Sequence, residues 1–140
     1  MSPLEPSTPL RVLLVEDYPD LAEVTAELLR EERLDVQVAL SGRDALEIAR
    51  AFRPQLLLCD LNLPDMTGLD VIRELQSNPT TEDSYVAILT AMRERELPQQ
   101  RDVRQVRVDA FVSKPITPKA IRTLLETLAA RPVGNPSSQK

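Results

Sequence analysis

Three uninterrupted apolar tetrapeptides, Val12-Leu13-Leu14-Val15, Leu56-Leu57-Leu58-Cys59 and Val86-Ala87-Ile88-Leu89, constrain the fold of this chain more than any other feature. A strand with one face in water alternates apolar and polar residues, whereas a run with no polar member suits a central strand covered on both faces. Two weaker candidates, Val36-Gln37-Val38-Ala39 and Ala110-Phe111-Val112, read as edge strands. The intervening segments carry helical spacing: Leu21, Val24, Leu28; Ala45, Ile48, Ala49, Phe52; Gly68, Val71, Ile72, Leu75; and Ile121, Leu124, Leu125, Leu128. Ser41 stands three residues before Asp44 as a variant capping box, and Thr117 precedes a proline suited to a first helical turn. Five β-α repeats predict an α/β fold: a five-stranded parallel sheet, doubly wound, with ligands at the carboxyl ends of its strands.

One domain accommodates this pattern. Residues 1–9 and 132–140 are rich in Pro and Ser and read as flexible tails, leaving residues 10–131 as the domain. A chain of 140 residues buries about 70% of its unfolded surface, enough for a self-sufficient core. Nothing approaches the ~20 apolar residues of a membrane span, and the first residues lack a signal peptide's pattern. A single cysteine, Cys59, forms no internal disulfide, and a cytoplasmic protein is expected. Net charge is −5 with only three lysines, which argues against a nucleic-acid partner. The chain has no histidine, so Ser-His-Asp chemistry, imidazole metal ligation and an internal phosphohistidine are all excluded. Histidine chemistry has to arrive on a partner.

Polar residues collect at the predicted strand ends: Glu16-Asp17 after the first, Asp60 at the third, Thr90-Ala91 after the fourth, Ser113-Lys114-Pro115 after the fifth. If the first and third strands are neighbours, three carboxylates converge, an arrangement costing several kcal/mol unless a cation compensates. A hard divalent ion that keeps waters and accepts a phosphate oxygen fits, which points to Mg2+.

Glu16-Asp17, Asp60-Leu61-Asn62-Leu63-Pro64, Gly68, Thr90-Ala91, Phe111 and Lys114-Pro115 together closely resemble the receiver domain of two-component response regulators, the CheY-like fold. The resemblance implies strand order 2-1-3-4-5 and transfer of a phosphoryl group from a phosphohistidine, on a sensor histidine kinase or histidine phosphotransfer domain, to Asp60. It implies Mg2+ held by Asp17, Asp60 and the Asn62 backbone carbonyl, with Glu16 acting through a water. Lys114 would pair with a phosphoryl oxygen, Thr90 would hydrogen-bond to it, and Phe111 would fill the space that Thr90 vacates. Lacking a hydroxyl, Phe111 is expected to favour the inward position more than a tyrosine would. The peptide bond before Pro115 is expected to be cis.

Departures carry their own expectations. Val106-Arg107-Val108-Asp109 replaces a stretch with glycine, and Arg107 suits a left-handed helix cap poorly. The helix expected between the fourth and fifth strands has few apolar residues and contains Pro98, which predicts mobility over residues 93–107. Its arginines, Arg93, Arg95, Arg101, Arg104 and Arg107, form a solvated face or a partner surface. Met92 hydrogen-bonds a water only weakly, so self-dephosphorylation slower than in a Met92→Glu variant is expected. Output would pass by protein contact through that helix, the fifth strand and the last helix, with a homodimer possible. Two rivals stand beside this reading. A haloacid-dehalogenase-type phosphohydrolase needs a second aspartate where Asn62 stands, and a receiver-like binding module would take no phosphoryl group.

Overall fold

The computed structural model describes residues 8–91 and 106–131. Strand and helix alternate as expected through β4 among the described residues: β1 (Arg11–Val15), α1 (Pro19–Glu31), β2 (Asp35–Ala39), α2 (Gly42–Phe52), β3 (Leu56–Asp60), α3 (Gly68–Gln76) and β4 (Tyr85–Thr90), followed by β5 (Ala110–Ser113) and α4 (Pro118–Ala129). All five strands are parallel, in the order β2-β1-β3-β4-β5. The helix expected before β5, with Met92 and four of its five arginines, lies outside the described residues.

The apolar runs are central because both sides of each strand are covered. Val12, Leu14, Leu56, Leu58, Ala87 and Leu89 pack with Ala22, Ala26 and Leu29 of α1 and Ile121 and Leu124 of α4. Leu13, Val15, Leu57, Cys59, Val86 and Ile88 pack with Ala45 and Ala49 of α2 and Val71, Ile72 and Leu75 of α3. Strand periodicity of two thus divides one sheet between two cores. In α1 the buried stripe is Ala22, Thr25, Ala26 and Leu29, while Val24 is exposed. The stripe is one residue further on than the sequence pattern indicates, and three of its four members are small side chains.

Local signals set the ends. Ser41 accepts from Asp44 N to cap α2, Thr67 and Asp70 form a capping box on α3, and Thr117 accepts from Ala120 N ahead of α4. Arg107 does not take the left-handed conformation; among the described residues other than glycine, Arg33 and Arg53 do. Instead Arg107 N donates to Gln76 Oε1 at 2.9 Å, and Gln76 Nε2 donates back to Arg107 O at 2.8 Å. The Arg107 guanidinium reaches the carbonyl oxygens of Ser84 and Glu82 and the Asp109 carboxylate. Asp109 Oδ2 in turn accepts from Val86 N at 2.8 Å. These bonds fasten the approach to β5 onto the end of α3 and the start of β4.

Candidate functional site

β1 and β3 are hydrogen-bonded neighbours, with Val15 opposite Cys59. Their carboxyl ends therefore bring Glu16, Asp17 and Asp60 together at the point where strand order reverses, the usual ligand position in such sheets. One carboxylate oxygen from each lies within 4.8 Å of the others. Glu16 and Asp60 are buried and Asp17 is exposed. β5 ends two strands away, and Lys114 N donates to Thr90 O at 2.9 Å, so the lysine leaves the sheet beside β4. Its Nζ stands 2.7 Å from Asp60 Oδ2 and 2.9 Å from Glu16 Oε1. The peptide bond from Lys114 to Pro115 is cis, as the resemblance implied.

Charge explains why the lysine is there. At a separation of ~4 Å and the effective dielectric of a protein surface, two like charges repel by about 4 kcal/mol, so three convergent carboxylates require compensation. Burial alone would pull the Lys114 ammonium down, but its hydrogen bonds to Asp60 and Glu16 and their charges outweigh that, and its pKa stands above the ordinary lysine value. Lys114 supplies one positive charge against three negative ones. The remaining deficit, the all-oxygen donors and the exposed edge at Asp17 fit a hard divalent cation such as Mg2+. In the same pocket, burial and then the charges of Asp60 and Glu16 push the Cys59 thiol pKa up, as befits a core residue.

The backbone after Asp60 is shaped around the acidic cluster. Asn62 N donates to Asp60 Oδ1 at 3.2 Å, and Tyr18 N donates to Glu16 Oε2 at 3.2 Å. Gly68 N donates to Leu61 O at 2.8 Å, closing residues 61–68 into a loop. A Cβ on Gly68 would strike the Asp60 carbonyl oxygen and lie 3.0 Å from Leu61 Cα, so this close approach needs glycine.

The other expected residues fall into place around this centre. Thr90 is buried at the end of β4, in register with Ser113. Phe111 lies opposite Ile88, and the residue is 41% exposed. It belongs to edge strand β5, whose burial is partial apart from Val112. Sequence reasoning missed Asp65, whose carboxylate accepts from Gly42 N at 2.8 Å and Arg43 N at 2.9 Å. Its only local signal is an acid just after Pro64, because the partners lie 23 and 22 residues upstream.

An acid cluster answered by a single lysine, at the switch point of a 2-1-3-4-5 parallel sheet, defines a doubly wound α/β domain with a polar centre across β1, β3 and β5. A family model for the response regulator receiver domain matches residues 12–126, and the chain belongs to that family. It is 37% identical over 111 residues to the DNA-binding response regulator MtrA of Mycolicibacterium smegmatis, covering 79% of this chain and 46% of that protein. It is 34% identical over 121 residues to the aerobic respiration control sensor protein ArcB of Escherichia coli, covering 86% of this chain and 15% of that protein. The chain therefore spans less than half of either relative. A receiver domain (CheY-like) from Methylobacillus flagellatus superposes with a TM-score of 0.77 at 26% identity, covering 86% of this chain and 99% of that one. The chemotaxis response regulator CheY4 of Vibrio cholerae gives 0.77 at 23% identity over the same shares, a likeness of fold. Among the described residues no helix is long and apolar enough to cross a membrane.

Proposed function

We propose that this receiver domain accepts a phosphoryl group on Asp60 from the phosphohistidine of a sensor histidine kinase or histidine phosphotransfer domain, in a reaction that requires Mg2+. The observation that carries this reading is the Lys114 ammonium held between Asp60 and Glu16, with Asp17 at the exposed side of the same cluster. An Asp60 carboxylate oxygen forms the new bond to phosphorus as the donor's P–N bond breaks, its electron pair leaving with the imidazole nitrogen. Such transfer needs in-line placement and neutralised oxygens more than covalent help from the protein. Asp17, Asp60 and the Asn62 carbonyl would hold the ion, with Glu16 acting through a water, and the bound ion would neutralise phosphoryl oxygens. Lys114, already aimed at Asp60, pairs with another of those oxygens, and the Thr90 hydroxyl hydrogen-bonds to the group once it has arrived.

Output follows from where Thr90 and Phe111 sit. Phosphoryl contacts favour one of two packings of β4 and β5, and the change reaches α4 across a groove of about 580 Å³ lined by Phe111, Ser113, Pro115, Ala120 and Leu124. This surface signals by protein contact, as a homodimer or with a target protein. No nucleic-acid or membrane role is proposed for the chain, and its one buried cysteine suits the cytoplasm.

The test is incubation with Mg2+ and acetyl phosphate, followed by intact mass. One added phosphoryl group is expected, removed by hydroxylamine and absent from Asp60→Asn or after chelation of the ion. Label persisting on Asp60→Asn, or steady turnover of phosphate monoesters, overturns the reading.

A further inference from the structure

We propose that Asp65 is a positioning residue for the phosphoryl-acceptor loop: by gripping the first two N–H groups of α2, it holds the Asn62 backbone where ion binding beside Asp60 requires it. The proposal rests on the phosphotransfer reading above. Residues 61–67 join Asp60 to α3; Leu61 is buried in the core, and Leu63 and Met66 pack partly against it. The Gly68 N–H to Leu61 carbonyl bond and an antiparallel bridge between Asn62 and Thr67 close the loop on itself. A loop closed in this way is internally ordered, yet its tip needs an outside contact to fix its tilt against the sheet.

Leu63 packs against the core, and Asp65 and Met66 add a contact to the first turn of α2. Each Asp65 carboxylate oxygen takes one N–H, from Gly42 at 2.8 Å and from Arg43 at 2.9 Å. Ser41 caps only the next N–H, that of Asp44 at 3.1 Å, so the helix's own cap leaves the first two to the loop. The bond is charge-assisted and bidentate, and the two N–H groups hold the Asp65 carboxyl below its ordinary pKa. Beside it, Met66 lies so close to Gly42 that a Cβ there would overlap its Cγ and approach its Sδ to 2.7 Å. Polar grip and close packing therefore meet on the first turn of α2, and the loop's other end carries the Asn62 N–H to Asp60 Oδ1 bond. Asp65 is exposed. Water therefore replaces its bonds when it is removed, and the consequence falls on loop position more than on folding.

The test compares wild type with Asp65→Ala, Asp65→Asn and, as a control, Ser84→Ala, which loses a bond to the Pro54 carbonyl elsewhere in the chain. Mg2+ affinity is read by calorimetry without phosphodonor, and the acetyl phosphate rate is read against Mg2+ concentration. Residues that orient metal ligands typically change affinity about 10- to 100-fold. Asp65→Ala is expected to bind Mg2+ at least about tenfold more weakly, and saturating Mg2+ restores its rate. Asp65→Asn falls between, and Ser84→Ala leaves affinity unchanged while lowering the melting temperature. Wild-type affinity and rate in Asp65→Ala overturn the positioning role, as does an equal loss of affinity in Ser84→Ala. Absence of label on wild-type Asp60 overturns the phosphotransfer reading instead.

Discussion

Thr67 and Asp70 exchange hydrogen bonds at the start of α3, and Arg73 adds an ion pair to the Asp70 carboxylate at 2.8 Å. Arg73 first, and then the Thr67 N–H, hold the Asp70 carboxyl below its ordinary 3.8. A pKa depressed in the folded chain adds stability above the unfolded value, and that increment is lost as pH falls through the folded pKa. Asp70→Asn is therefore expected to cost about 0.5 kcal/mol at neutral pH, a surface-sized effect. Melting curves of the two proteins should converge as pH falls below about 4. Legibility at this scale follows distance along the chain. Asp60, Thr90 and Lys114 were readable because each ends or follows an apolar strand whose direction the sequence betrays. Asp65 was not, because nothing local marks a carboxylate whose partners begin a different helix.

At the scale of elements, the approach to β5 departs most from expectation. The Val106-Arg107-Val108-Asp109 stretch has no glycine, and Arg107 stays out of left-handed backbone while its amide and carbonyl pair with the Gln76 side chain. The strand was legible from Ala110-Phe111-Val112, but its fastening was not, since the carbonyls that receive the guanidinium belong to the turn before β4. Arg107→Ala keeps the backbone pairing and loses the guanidinium bonds. With the side chain 45% exposed, water takes part of their place, so urea unfolding should give a loss of about 1 kcal/mol. The α1 stripe shows the same boundary of inference. Spacing located the helix, whereas its rotation about its axis puts Ala22, Thr25, Ala26 and Leu29 on the buried side.

Across the whole molecule, the apolar runs translate directly into depth: β1, β3 and β4 lie inside the sheet, with β2 and β5 at its edges. Amide exchange should be slowest at Leu13, Leu57 and Val86 and faster in β5, whose residues other than Val112 are partly or fully exposed. Protection of Phe111 equal to that of Leu57 would contradict this ordering. Strand order was legible only with the family resemblance, because periodicity alone does not say which strands are neighbours. The partial exposure of Phe111 bears on the proposed switch. Fully burying a phenylalanine yields about 1.5–3 kcal/mol. With the residue 41% exposed, at most about 1 kcal/mol remains to be gained, a shift of roughly fivefold in population. Inverting a 1:99 equilibrium takes about 5.5 kcal/mol. In the proposed switch, burying Phe111 would thus bias the two packings without deciding between them, and most of the driving free energy would have to enter at the Thr90 and Lys114 end of the sheet.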